Sequence, residues 1–345
     1  MIRKQKNFFF ELKKLIKTKP YIAIILAHEY FRNLYPTDPS IAFSISDPFK
    51  RINSVLNNLI NIAKQFQKIG HYNINFEKKI YGQKYKGNTK DLKLITSNLY
   101  GNLFEIFSKK ENIKAKKLIK DRFKNLKSIN HNSFFKNKKI IDVGCGNGRF
   151  TNALKSLGAA EAYGVDYGIK QIALAKKNFK KKNLNYKRAN VLKLPFKKNS
   201  FDFVWCNGVI HHTNNFKKGL SELVRICKKD GYIWLYLYGT GGIFWNARKE
   251  MNKFMKSIPE LYSSEVLKLI GMHTNRYVFM DSWYVPVEKH NSHKEVYKIL
   301  KDLGVSSIEK SVNTQKKTDL EWGLKKFSNS SKVWGEGEIR LLIRK

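Results

Sequence analysis

The chain is poor in cysteine, proline and acid. Its 345 residues hold three cysteines, seven prolines and only 27 Asp+Glu against 67 Lys+Arg. Cys145, Cys206 and Cys227 cannot build a disulfide framework, and none stands in a CxxC or a Cys/His cluster with zinc spacing. They read as reduced thiols of a cytoplasmic protein without a metal site. Long apolar runs are missing too. A membrane span requires about 18 such residues; "YIAIILA" (21–27) is too short, and "YIWLYLYGTGGIFW" (232–245) is broken by Gly-Thr-Gly-Gly. The start, "MIRKQKNFFFELKKL", is basic but lacks the apolar centre of a secretory leader.

What is present suffices for a core: 42% of residues are hydrophobic and 13% aromatic, which excludes a wholly disordered chain. The formal net charge of +40 points toward nucleic acid or an anionic surface. Yet the excess is spread along the chain, which is also crowded with Asn and Ile. Drift of a genome toward A+T raises Lys, Asn and Ile together without any partner, and the even spread favours that reading over a nucleic-acid site.

Residues 1–95 read as a helical accessory region. In "DPFKRINSVLNNLINIAKQF" (47–66), Ile52, Val55, Leu56, Leu59 and Ile60 share one face at spacings of three and four. "YGQKYKGNTKD" (81–91) is a polar linker candidate, and "NIKAKKLIKDRFKNL" (112–126) a further amphipathic helix. From 138 the character changes. Strands are predicted at 138–144, 161–166, 184–191, 201–206 and 232–239, alternating with helices at 147–158, 168–182 and 215–231. Such alternation implies an α/β fold, a mostly parallel sheet with helices on both faces. After an aromatic-rich, helical and loop-like stretch (242–291), "SHKEVYKILKDLG" (292–304) is a helix opened by the Ser292/Glu295 capping pattern and ended by Gly304. Strands at 305–311 and 337–344 complete the sheet.

The strongest signal is "IIDVGCGNGRF" (140–150). Gly144, Gly146 and Gly148 alternate between a strand and a helix, where glycine permits a tight turn and close approach of a ligand. The spacing is neither the dinucleotide GxGxxG nor a Walker loop. Asp142 sits at the strand end, where an acid opposes a pyrophosphate but suits an ammonium group. Asp166 ends the next strand, a position from which a carboxylate can accept from both ribose hydroxyls. Asn190 follows the third, where an amide can read an adenine edge. A ligand with ribose, adenine and an amino-acid moiety but no phosphate fits this set, and S-adenosylmethionine is that ligand.

These residues, with "GVD" (164–166), "ANVLKLPF" (189–196), "FDFVWCNGVIHH" (201–212) and "ELVRICKKDGYIWL" (222–235), resemble the class I S-adenosylmethionine-dependent methyltransferases. The tandem histidines and the "LPF…SFDFV" spacing resemble their small-molecule branch, the UbiE/UbiG-like enzymes. The resemblance covers 96–345 and implies a Rossmann-like sheet with the last strand antiparallel. It implies that Asp142 and the Gly144, Cys145, Gly146 and Gly148 loop hold the methionine part, Asp166 and Tyr167 the ribose, and Asn190 and Val191 the adenine. Asn207 would line the methyl-transfer position. Many relatives carry Asp where this chain has Asn190. "LYGNLFEIFS" (99–108) is similar to the lead-in helix of such enzymes, and 242–291 to their substrate-side insertion. Trp245, Asp281, Tyr284, Glu288 and His290 are candidate substrate contacts there, although aromatic loops also simply pack.

His211 and His212, five and six residues past the fourth strand, are candidates for a base; capping or loop packing is the competing reading. They are not expected to bind metal, because adjacent side chains on a loop diverge. The reading is thus methyl transfer to O, N or C of a small metabolite or a glycan- or lipid-linked acceptor. An RNA methyltransferase and an inactive scaffold that binds S-adenosylmethionine are the alternatives. Against RNA, strand four ends "CNGV", without the Asn/Asp-Pro-Pro-aromatic motif of base-amino methyltransferases.

Overall fold

The computed structural model describes residues 1–35, 47–69, 92–105, 107, 109–311 and 320–345. The linker expected at 81–91 lies outside them. By its internal contacts the chain divides into two compact units. One takes Met1–Asn88, Thr240–Val285 and Thr314–Gly337; the other takes Thr89–Gly239, Pro286–Asn313 and Glu338–Lys345.

The second unit is built on seven strands: β1 (Lys139–Val143), β2 (Glu161–Asp166), β3 (Leu184–Arg188), β4 (Phe201–Asn207), β5 (Cys227–Leu237), β6 (Ser307–Lys310) and β7 (Ile339–Arg344). Their order is β3-β2-β1-β4-β5-β7-β6. Strands β1 to β5 pair in parallel, and β7 enters antiparallel between β5 and β6. This is the Rossmann-like class I sheet, mostly parallel with its last strand reversed.

Alternation of side chains across each strand makes two cores. Ile140, Phe203, Trp205, Trp234 and Leu342 face one side, where helices Lys109–Phe123 and Arg149–Ser156 add Ile119, Phe123 and Leu154. Ile141, Val143, Val204, Cys206, Ile233 and Leu235 face the other, covered by helices Phe216–Ile226 and His293–Asp302. Trp205 and Trp234 are in register across β4 and β5 and stack with ring centroids 5.2 Å apart.

Two helices end earlier than their sequences suggest. The one expected to 231 stops at Ile226, because Cys227 pairs with Phe201 and already begins β5. The one expected to 182 stops at Asn178, where the backbone of Phe179 turns extended ahead of three consecutive lysines. The cap on the later helix is as expected: Ser292 Oγ accepts from the Glu295 amide at 3.1 Å.

The first unit is helical: Ile2–Thr18, Pro20–Leu34, Pro48–Lys68, Gly242–Met255, Glu260–Leu269, Arg276–Tyr284, Leu320–Lys326 and Ser330–Trp334. Ile52, Leu56, Leu59 and Ala63 bury one face of Pro48–Lys68, and Asp47 caps its start by accepting from Phe49 N. Phe9 stacks on Phe254, Phe31 meets Phe244 and Phe279, and Trp334 Nε1 donates to the Leu34 carbonyl at 2.7 Å. Residues 240–285, which hold most of the 242–291 stretch expected as a substrate-side insertion, thus share a core with the N-terminal helices. Among the described residues, no helix is long and apolar enough to cross a membrane.

Candidate active site

In an open sheet of this order the direction of winding reverses between β1 and β4, and ligands bind at the carboxyl ends of the strands there. Two segments leave the sheet at that point: the glycine loop after β1 and the turn 208–212 after β4. They lie in direct contact. A Cβ placed on Gly144 would fall 2.2 Å from a Val209 methyl, and one on Gly146 2.5 Å from the Phe104 ring. Both glycines also have positive φ (79° and 53°), so neither position tolerates a larger residue. The loop is pinned below by Gly144 N and Cys145 N, which donate to the Val165 carbonyl at 2.7 and 2.9 Å.

Two carboxylates flank the loop. Asp166 Oδ2 accepts from Gly146 N at 3.0 Å and Oδ1 from Gly168 N at 2.9 Å, so the acid fixes both the loop and the start of the next helix. Burial raises its pKa, opposed by those backbone donors. Asp142 is more deeply enclosed. Burial lifts its pKa to about 7; its Oδ2 accepts from Thr151 Oγ1 at 2.6 Å, which works the other way, and the nearby Asp166 charge adds to the rise. Tyr167 offers its carbonyl to Arg188 Nε at 2.9 Å. Asn190 Oδ1 accepts from Leu192 N at 3.0 Å, shaping the turn that carries Val191. Cys145 and Cys206 are buried, and burial raises both thiol pKa values.

The end of β4 gathers the remaining polar groups. Asn207 Oδ1 accepts from Arg122 Nη1 and from Trp234 Nε1 (3.2 Å). Arginine and indole are donors only, so the amide's orientation is fixed, with its NH2 turned away from both. His211 is fully buried, stacked on Tyr238 at 3.9 Å, and its carbonyl accepts from Lys289 N at 2.8 Å. His212 lies 2.9 Å by Nε2 from the Tyr100 hydroxyl and 2.8 Å by Nδ1 from the Val287 carbonyl.

The expected substrate residues separate into two groups. Glu288 and His290 belong to the sheet unit and pair at 2.6 Å, on a segment whose Lys289 and Asn291 amides bond to His211 and Tyr238 carbonyls. Trp245, Asp281 and Tyr284 belong to the helical unit and are buried within it. Asp281 pairs with Arg248 at 2.8 Å, and Tyr284 Oη lies 2.5 Å from Ser263 Oγ. Aromatic walls and aromatic cores use the same residues, which is why sequence alone did not separate the two groups. Sequence reasoning missed Tyr100, Arg122 and Tyr238. The helix bearing Tyr100 was legible, but not that residue 100 reaches residue 212.

Residues 141–235 match the family model described as a methyltransferase domain. Those residues form a methyltransferase domain of the class I, S-adenosylmethionine-dependent kind. The cofactor of that domain is S-adenosylmethionine. The chain is 39% identical over 100 residues to an uncharacterized protein of Methanocaldococcus jannaschii (28% of this chain, 40% of that protein). It is 31% identical over 128 residues to the malonyl-[acyl-carrier protein] O-methyltransferase of Buchnera aphidicola (37% and 49%). It is 30% identical over 100 residues to the tRNA U34 carboxymethyltransferase of Campylobacter hominis (28% and 35%). The chain thus spans less than half the length of these three relatives, and the two characterised names differ in acceptor.

Proposed function

We propose that this methyltransferase moves a methyl group from S-adenosylmethionine to O, N or C of a small metabolite or a glycan- or lipid-linked acceptor. The observation that carries the reading is the cluster of Tyr100, His211, His212 and Tyr238 at the end of β4, beside a glycine loop with two carboxylates. Bound S-adenosylmethionine supplies an electrophilic methyl carbon and leaves as a neutral thioether.

The donor set suits that cofactor. Asp166 is an acceptor held in place by two amides, as a ribose diol requires, and the loop carries no phosphate-binding lysine. In this reading Asp142 and the Gly144, Cys145, Gly146 and Gly148 backbone take the methionine end, and Asp166 with Tyr167 the ribose. Asn190 and Val191 take the adenine, and Asn207 lines the transfer position with its NH2. His212 is the proton sink, and His211 sets the turn. Glu288 and His290 border the acceptor.

The test is incubation with labelled S-adenosylmethionine and a fractionated cell extract. Label is expected in metabolites, lipids or glycans. Label in nuclease-sensitive material would overturn the small-acceptor reading, and no label in any fraction would leave an inactive scaffold. One observation favours an RNA acceptor: between Asp166 and Asp202 the chain carries 11 Lys and Arg and no acid. RNA methylation that falls steeply with added salt would support it.

A second prediction concerns pH. Asp142 is raised to about 7 in the fold, so between its ordinary range near 3.8 and about 7 the folded protein holds a proton that the unfolded chain has lost. Its contribution therefore makes the cofactor-free protein less stable as pH rises through that window. Gripping the cofactor's ammonium group requires the ionised acid, so binding near pH 6 should release a proton. Calorimetric heats should then vary with the ionisation enthalpy of the buffer, and Asp142→Asn should remove that variation. Buffer-independent heats in the unaltered protein would reject the ammonium assignment.

A further inference from the structure

We propose that Tyr100 is the residue that touches the acceptor, and that His212 takes the acceptor's proton only through it. This rests on the methyl-transfer reading and adds a catalytic residue to it.

Hydrogen-bond chemistry sets the direction. A carbonyl only accepts, so the 2.8 Å contact between His212 Nδ1 and the Val287 oxygen places the imidazole hydrogen on Nδ1. The neutral ring then carries its lone pair on Nε2, and the Tyr100 hydroxyl, 2.9 Å away, donates to it. Both ring nitrogens are thereby engaged inside the protein. Neighbouring rings hold the imidazole in place: His211 packs at 4.2 Å, and Tyr238 lies edge-on at 5.5 Å.

Tyr100 is also positioned against the cofactor loop. Its ring stacks on Phe104 (6.1 Å, 28°), and the Phe104 ring fills the space above Gly146. The helix Leu92–Glu105 that carries both is fastened by Gln171 Nε2, which donates to the Ser97 carbonyl at 2.6 Å, and by the Lys170–Glu105 ion pair at 2.9 Å. The Tyr100 ring therefore links Phe104, which packs on the glycine loop, to the imidazole of His212.

The proton transfers balance. As the acceptor's lone pair forms its new bond to the methyl carbon, that carbon's bond to the sulfonium sulfur breaks and its electron pair stays on the departing thioether; the acceptor's X–H bond breaks and its proton moves to Tyr100 Oη. The hydrogen already on Oη moves to His212 Nε2. The imidazolium so formed donates to the Val287 carbonyl from Nδ1 and to Tyr100 from Nε2, and later gives its extra proton to water.

The experiment uses the full chain with tritiated-methyl S-adenosylmethionine and cell extract. Tyr100→Phe keeps the ring and its stacking. Transfer at saturating extract should fall about 100-fold or more, within the range of general-base effects, while cofactor affinity changes by less than about twofold. His212→Ala should lose a similar factor, and the double variant no more than either single one. Tyr100→Phe transferring within about threefold of the unaltered rate would overturn the proposal. A second readout needs no acceptor. The 15N spectrum of His212 should show the Nδ1–H tautomer, with the Nε2 signal displaced in Tyr100→Phe. An Nε2–H tautomer would overturn the relay even if methyl transfer occurs. An unaltered protein that labels nothing would instead defeat the methyl-transfer reading, with the tautomer still deciding the pair.

Discussion

Asp166→Ala is expected to weaken S-adenosylmethionine binding by on the order of 100- to 1,000-fold. Two effects combine. The variant loses the acceptor assigned to the ribose hydroxyls, and hydrogen bonds to a charged group are worth about 1.5–3 kcal/mol each. It also releases the amides of Gly146 and Gly168, which the two carboxylate oxygens now hold at 3.0 and 2.9 Å. Asp166→Asn keeps one acceptor oxygen and should lose less. Calorimetry with the cofactor, alongside circular dichroism to confirm an unchanged fold, measures both variants. Affinity retained within about threefold in Asp166→Ala would refute the ribose assignment. The Asp142 acid should respond as well: with the Asp166 charge gone, one cause of its raised pKa disappears, and the proton release on binding should shift to lower pH.

The largest stability effect is expected at Trp205. It is fully buried at the centre of the sheet, stacked on Trp234 at 5.2 Å, with Phe150 at 5.5 Å and Phe123 at 6.2 Å. Truncating a buried tryptophan to alanine costs about 3–5 kcal/mol, from lost transfer energy and the cavity left behind. Whole domains are stable by only about 5–15 kcal/mol. Trp205→Ala should therefore lower the urea midpoint of the sheet unit sharply, and the variant should be marginal or insoluble. A loss below about 1 kcal/mol would mean that neighbouring rings collapse into the space. Trp205→Phe, which keeps an aromatic plane against Trp234, should recover much of the stability.

Much of the sheet was legible because its signals are local. β-branched runs ending in glycine, the Ser292 cap and the apolar stripe of helix 216–226 are each decided within a dozen residues. The glycine loop and its two acids were legible for the same reason, since strand ends place them. Boundaries failed where pairing overrode propensity, as at Cys227, which a continuing helical stripe assigns to the helix and its partner Phe201 assigns to β5. What the sequence hid was long-range. Arg122 fixes the amide of Asn207 from 85 residues away, and Tyr100 reaches His212 across 112. No period or spacing encodes such contacts. The division of the presumed substrate segment was hidden similarly, since Trp245 and Tyr284 look alike whether they wall a pocket or fill a core.

The helical unit is assembled from three stretches of chain separated by the sheet unit's own stretches. During synthesis, Phe9 and Phe31 leave the ribosome more than 200 residues before Phe254 and Phe244, the rings they pack against. Helices 2–18, 20–34 and 48–68 contact one another and can associate early, but part of their apolar surface must wait for the rest of the chain. Closing so long an intervening loop adds only a logarithmic entropic cost, so the finished unit is not penalised greatly in stability. The delay falls on the rate of folding and on exposure in the meantime. Nascent chains halted before residue 240 should therefore be the chaperone-dependent form of this protein, and a cut anywhere between the two units' segments strands a partner rather than freeing a domain.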